Sequence, residues 1–295
     1  MRSSSVFNWA LVELVETTPV FSTWLEERAY LAVSEHGCRL QRKRRMLSLT
    51  HKGVLVVGAR RIGGEIVRRL AEEGAHVAIA YRSSKAEAQQ LLNSISGKTE
   101  RSCLIQGDAS VEEDVIRMVR VAGEQLGDLS FLINLAAGFE RTTFDVLDGA
   151  AWERGMAAAK GNYLLAVHAA RRFMQNSGPT RGHLIFYGDW AAGETPYPDY
   201  LPYLTGKAAI HFMTRAFAVE LAPHGILVNA IAPGPTQRPP DISEVVWQDE
   251  VVSLAPLRRE SSATEMAELI VTLLKSESIT GETIRVDSGR HLAGS

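Results

Sequence analysis

The sequence predicts an α/β fold: a doubly wound parallel sheet with helices on both faces, in a single domain. Two observations carry that prediction. From Gly53 onward, apolar runs of five to seven residues recur, and unbroken runs that short read as strands buried on both faces. Amphipathic stretches separate them, and regular alternation of strand and helix specifies parallel pairing through crossovers. The chain shows no internal repeat, and one such domain accounts for roughly 240 residues.

The elements follow in order. GVLVVG (53–58) is the first strand, and GGEIVRRLAEEG places Ile66, Val67 and Leu70 on one helical face. HVAIAY and KAEAQQLLNSI form the second strand and helix, SCLIQGD and VEEDVIRMVRVAGEQLG the third pair, and LSFLINLAA the fourth strand. A helix is expected around 151–176, then the strand GHLIFYG, a helix holding Tyr203, the strand ILVNAIAP, a helix near 263–275 and a final strand ETIRVD.

Of the 295 residues, 45% are hydrophobic and 22% charged, with a net charge of −2. That balance gives no reason to expect nucleic acid or a membrane surface as partner. No apolar run reaches the ~18 residues that span a bilayer. The patch VFNWALVELV is interrupted by Glu13 and lacks the pattern of a secretory signal. Cys38 and Cys103 lie far apart without CxxC spacing, so neither a disulfide framework nor a metal site is expected, and a reducing cytoplasm fits.

Pattern changes near residue 50. Residues 1–50 show no sustained period, and RLQRKRRM places five basic side chains between Arg39 and Arg45, which read as a solvated charge run. The expectation is an N-terminal extension over 1–50, with 1–45 disordered or an upstream start that is not used, and a cofactor-binding domain over 51–295.

A first strand running into a glycine-bearing turn and a helix is the Rossmann-like arrangement that accommodates a pyrophosphate at a helix N-terminus. Here the turn reads VVGARRIGG, with Gly58, Gly63 and Gly64; the three-glycine fingerprint is not intact. NAD-binding folds carry an acid about 20 residues on, for the ribose 2′-hydroxyl. This chain has Arg82, Ser83, Ser84 and Lys85 there, and an arginine with neighbouring hydroxyls suits a 2′-phosphate. Arg60 and Arg61 add positive charge, so NADP(H) is favoured over NAD. Asp108 ends the third strand, placed to cap the next helix, contact an adenine, or both. Asn134 ends the fourth, where it either stitches neighbouring strands or touches cofactor.

The last constellation is Tyr203 four residues before Lys207, one helical turn apart. Reducing a carbonyl or imine by hydride requires a proton, and a tyrosine at pKa ~10 gives it poorly near neutrality. An ammonium one turn away favours the phenolate and is expected to lower that pKa.

With NLAA after the fourth strand, Tyr203-x-x-x-Lys207, VNAIAPGP at 228–235 and ITGETIRVDSGRHL at 279–292 in order, the chain resembles the short-chain dehydrogenases/reductases over residues 51–292. The resemblance implies an NADPH-dependent oxidoreductase with a small-molecule substrate, assembled as a homotetramer or homodimer partly through the helices at 151–176 and 203–221. It makes Tyr203 the proton donor and lets Lys207 hold the nicotinamide ribose. It sets the cofactor against the first turn through Gly58, Arg60, Arg61, Ile62 and Gly63. Further along, cofactor contacts fall to Arg82, Ser83, Asp108 and Ala109, then to Asn134, Ala136, Pro233 and Gly234.

Members of that family place a serine about a dozen residues before the tyrosine; here Asp189 stands there. An aspartate at that position resembles the pteridine reductase branch, as do Arg61 in place of a central glycine, Phe139 five residues after Asn134, and Tyr200. A pterin presents ring nitrogens that a carboxyl group can bond. The implied catalytic set is Tyr203, Lys207 and Asp189, with Phe139, Asp189 and Tyr200 on the substrate.

Three departures stand out. Val56 and Val57 replace the usual Thr-Gly, Ala158 (or Ala159, shifted by one) replaces an active-site asparagine with Asn162 one turn later, and Ser288 replaces a glycine. Two other readings remain open: a reductase of ketones or 3-oxoacyl thioesters, and a sensor that binds NADP(H) without turnover.

Overall fold

The computed structural model describes residues 46–238 and 242–293, so the expectation for residues 1–45 lies outside the described residues. The compact unit begins at Met46. Leu49, assigned by composition to the extension, is 1% exposed in the core, and Leu47 N–H donates to Lys275 O at 2.9 Å.

The chain runs β1 (Gly53–Val57), α1 (Ile62–Glu72), β2 (His76–Tyr81), α2 (Lys85–Ile95), β3 (Cys103–Gln106), α3 (Glu112–Leu126) and β4 (Leu129–Asn134). It continues through α4 (Gly149–Phe173), β5 (Gly182–Tyr187), α5 (Leu201–Leu221), β6 (Ile226–Pro233), the short α6 (Glu244–Val246), α7 (Ala263–Lys275) and β7 (Thr283–Val286). The seven strands pair in parallel in the order β3-β2-β1-β4-β5-β6-β7. Every element predicted from Gly53 onward is observed. A short helix and π-turn over 244–252 had no periodic signal.

Alternation along each strand builds two cores. Val54, Val56, Val77 and Ile79 face α1, α2 and α7, packing against Ile66, Leu70, Leu91 and Ile270. Leu55, Val57, Ala78 and Ala80 face the other way, onto α3, α4 and α5 through Met118, Leu165 and Ile210. Each fully buried valine, leucine, isoleucine or methionine among them contributes ~1.5–3 kcal/mol of hydrophobic stabilisation. Helix starts are specified locally. Asp148 accepts from Ala151 N–H at 2.7 Å at the head of α4, a cap of ~1 kcal/mol. Pro202 in the first turn of α5 costs no hydrogen bond there.

In the order 3-2-1-4 the winding of the sheet reverses between β1 and β4, which opens a crevice at the carboxyl ends of those parallel strands. Helices α4 and α5 meet closely at two glycines: a β-carbon on Gly155 would lie 2.5 Å from Pro202. This close crossing brings the first turn of α5 over the same edge of the sheet. Among the described residues no helix is long and apolar enough to cross a membrane.

Candidate active site

Asp189 leaves the end of β5 two residues past Tyr187, and Tyr203 sits in the first turn of α5. They meet directly: Tyr203 Oη donates to Asp189 Oδ2 at 2.7 Å, and Asp189 Oδ1 accepts from Ala191 N–H at 2.9 Å. Asp189 is 7% exposed and Lys207 1%. A buried ammonium requires compensation, which Lys207 finds in Tyr187 O at 2.7 Å and in the faces of Tyr187 and Tyr203, 5.2 and 5.7 Å from their centroids.

This geometry sets the protonation states. Burial raises the Asp189 carboxyl above the usual carboxylate range, opposed by Tyr203, Ala191 N–H and Lys207. Burial also lowers Lys207 to about 8, an effect that the Asp189 charge partly offsets. Tyr203 is raised well above 10, first by burial and then by Asp189. The sequence-based expectation that Lys207 would lower Tyr203 is therefore corrected. The ammonium is engaged by the Tyr187 carbonyl, whereas a carboxylate oxygen sits on the phenol itself. Tyr203 is held as a neutral acid whose proton points at an acceptor.

Aromatic rings wall the site. Phe139 stacks on Tyr200 at 4.6 Å and meets Tyr203 edge-on at 5.1 Å, while Tyr197 bridges Tyr200 and Trp190. The loop carrying Phe139 is fastened to the segment before α5: Arg141 Nη2 donates to Asp199 Oδ2 at 2.6 Å, and Thr142 N–H to Asp199 O at 2.6 Å. The chain thus brings Tyr203, Lys207, Asp189, Phe139 and Tyr200 together.

The remaining predicted residues lie at the carboxyl ends of strands or in the segments just after them. Gly58 has φ +86°, and a β-carbon there would lie 2.7 Å from Ala136 N. Ile62 and Gly63 open α1, whose N-terminus carries no side-chain cap. Arg60, Arg61 and Ser83 are exposed. Arg61 adopts φ 53°, ψ −116°, a backbone that favours glycine, as its substitution for a glycine implied. The Arg82 side chain is 75% exposed and reaches Asp108 Oδ2 only at 3.5 Å. Asp108 does not cap α3: the N-cap is Val111, and Asp108 instead accepts from Ser110 N–H and Oγ. Burial opposes its charge, but those bonds and Arg82 leave its pKa lowered. Ala109 follows it, and a β-carbon on Gly161 of α4 would lie 3.2 Å from its side chain. Asn134 Oδ1 accepts from Ala136 N–H at 3.1 Å rather than joining strands. Its Nδ2, on a residue 1% exposed, has no partner among the described residues. Pro233 and Gly234 close β6, with Gly234 N–H on Val286 O.

An uncapped helix start, a left-handed glycine turn, exposed guanidinium groups and an orphaned buried amide N–H fit a dinucleotide with a phosphate on its ribose. Asn162, one turn after the position of the usual asparagine, is buried in α4. Its Nδ2 donates to Ala158 O at 2.8 Å, and among the described residues no hydrogen bond links it to Lys207. Tyr187, whose carbonyl receives Lys207, and His211, which receives the Asp189 amide, went unnoticed in the sequence. Their roles depend on where β5 ends against α5, which no local pattern encodes.

Comparison with known proteins agrees with this geometry. The family model described as enoyl-(acyl carrier protein) reductase matches residues 56–291. A 3-oxoacyl-[acyl-carrier-protein] reductase FabG of Staphylococcus aureus is 29% identical over 248 residues, covering 82% of this chain and 98% of that protein. Among solved structures, FolM alternative dihydrofolate reductase 1 from Brucella canis, complexed with NADP, is 33% identical with a TM-score of 0.74. That match covers 83% of this chain and 96% of the other. A short-chain dehydrogenase from Burkholderia cenocepacia in complex with NADP is 28% identical, TM-score 0.74, over 83% and 99% of the two chains.

Proposed function

Since the chain belongs to the short-chain dehydrogenase/reductase family, we propose that it is an NADPH-dependent reductase of a pterin or similarly planar heteroaromatic. When bound, the cofactor supplies the hydride. The amides at the start of α1 receive the pyrophosphate, Arg82 and Ser83 the 2′-phosphate, and Asn134 Nδ2 an acceptor on the cofactor. Lys207 holds the ribose, and Tyr203 delivers the proton. The observation that carries the substrate class is Asp189 bonded to Tyr203: a buried carboxyl group beside a phenol presents an acceptor and a donor to one ring edge, as a pterin's nitrogens require. Phe139 supplies an aromatic face next to it, and the similarity to a dihydrofolate reductase of the same fold supports the reading.

A second reading has its own support. The similarity to FabG favours reduction of a 3-oxoacyl thioester, with Asp189 doing a serine's work. NADPH oxidation measured on 7,8-dihydrobiopterin and on an acetoacetyl thioester separates the two. Turnover of the dihydropterin is expected, and turnover of the thioester alone would sink the pterin reading. Exposed Trp152 and Tyr163 on α4, with Phe212 and Val219 on α5, support a homo-oligomer, to be checked by light scattering.

A further inference from the structure

Asp189 is held by the helix it faces as well as by its strand. Gly188 N–H donates to Ile231 O at 2.7 Å, and Trp190 N–H to Pro233 O at 3.2 Å, both on β6. Between them, Asp189 N–H donates instead to His211 Nε2 at 3.3 Å. His211 lies on α5 one turn after Lys207 and two after Tyr203. Its ring reaches the amide because residue 188 is glycine: a β-carbon there would overlap His211 Nε2.

We propose that His211 is a positioning residue for the reaction. By accepting the Asp189 amide, it pins Asp189 to the helix that carries Tyr203 and Lys207, and so sets the Asp189–Tyr203 contact. This rests on the assignment of those residues as the reacting groups; His211 bonds the Asp189 backbone, so it acts through Asp189. An imidazole accepts only at its unprotonated nitrogen, so His211 is neutral with its proton on Nδ1. Its surroundings agree. Burial, together with Lys207, Arg285 and Arg215 and opposed by Glu194, holds it uncharged down to about 4.

The test uses three variants of the full chain. His211→Leu removes the acceptor, Gly188→Ala displaces the ring, and His211→Gln returns an acceptor without an imidazole. With NADPH and 7,8-dihydrobiopterin, the first two are expected to lower kcat about tenfold or more while leaving the NADPH Kd unchanged, and His211→Gln to recover most of the loss. Equal losses in the Leu and Gln variants would overturn the proposal. Nitrogen-15 spectra of the imidazole at neutral pH need no substrate. They are expected to show Nδ1–H, and an Nε2–H tautomer or an imidazolium would overturn the proposal equally. Absent dihydropterin turnover with the Nδ1–H signature intact would count against the substrate reading alone, and the kinetic comparison would then be made on the thioester.

Discussion

Tyr203 Oη and Asp189 Oδ2 lie 2.7 Å apart, and that one bond joins the first turn of α5 to the end of β5. It also decides which acid the site keeps protonated. Both groups are buried and both are pushed toward their neutral forms, so a substrate atom that displaces the carboxylate meets a phenol still carrying its proton. Replacing Tyr203 with Phe removes that proton and leaves the ring. Turnover is expected to fall by at least about 100-fold, with NADPH binding nearly intact by fluorescence titration. Undiminished kcat would reassign the donor.

In the proposed cofactor site, Arg82 is the cation that would distinguish the two nicotinamide cofactors. Its side chain is largely exposed and, among the described residues, held only by the long contact to Asp108, which leaves it available to a 2′-phosphate. Arg82→Ala is expected to weaken NADPH about tenfold, or roughly 1.4 kcal/mol, and to leave NADH unaffected. Titration with both cofactors checks this, and an equal loss for both would place Arg82 off the phosphate.

The fold was legible because a doubly wound sheet writes itself locally. Strands such as VLVVG are buried on both faces, and helices such as EIVRRLAEE keep one apolar face. Tyr203 and Lys207 were legible for a similar reason, since one turn of helix separates them. Charge was harder. The ammonium one turn from Tyr203 suggested a lowered pKa, but the side chain turns to Tyr187 O, a group twenty positions away. Asp108 shows the same limit: helix α3 begins at Glu112, too late for Asp108 to cap it. Spacing finds neighbours along one element, whereas the partner that sets a pKa comes from another.

His183 lies in β5 with neither ring nitrogen hydrogen-bonded among the described residues, and burial lowers its pKa to about 4 from 6.5. Between those values the unfolded chain binds a proton that the folded chain refuses, so stability falls as pH drops from 6.5 to 4. Above 6.5 the group has no effect. His183→Leu removes both the unpaired polar atoms and the linkage. It is expected to add ~1–3 kcal/mol at neutral pH and to flatten the acid limb, leaving among the histidines the parts due to His76 and His211. Urea midpoints measured from pH 4 to 7.5 test this, and an unchanged slope would contradict it.

Arg61 and Ser288 both stand where the family's glycines are usual, and both have positive φ, 53° and 54°. A side chain in that region costs ~1–2 kcal/mol, partly offset by the extra freedom glycine has when unfolded. Among the described residues the Ser288 side chain makes only a long Oγ bond to Glu260 O, 3.4 Å, while its carbonyl bond from Leu257 N–H is backbone and survives substitution. Ser288→Gly is therefore expected to raise Tm by about 2 °C with cofactor affinity unchanged. Arg61→Gly relieves the same kind of strain, yet removes a cation from the turn proposed to receive the phosphates. Its expected signature is a higher Tm in the free protein and a weaker NADPH Kd. Calorimetry with and without NADPH distinguishes the two: a fall in Tm for Ser288→Gly, or unchanged affinity for Arg61→Gly, would show that strain and function are not divided between these positions in this way.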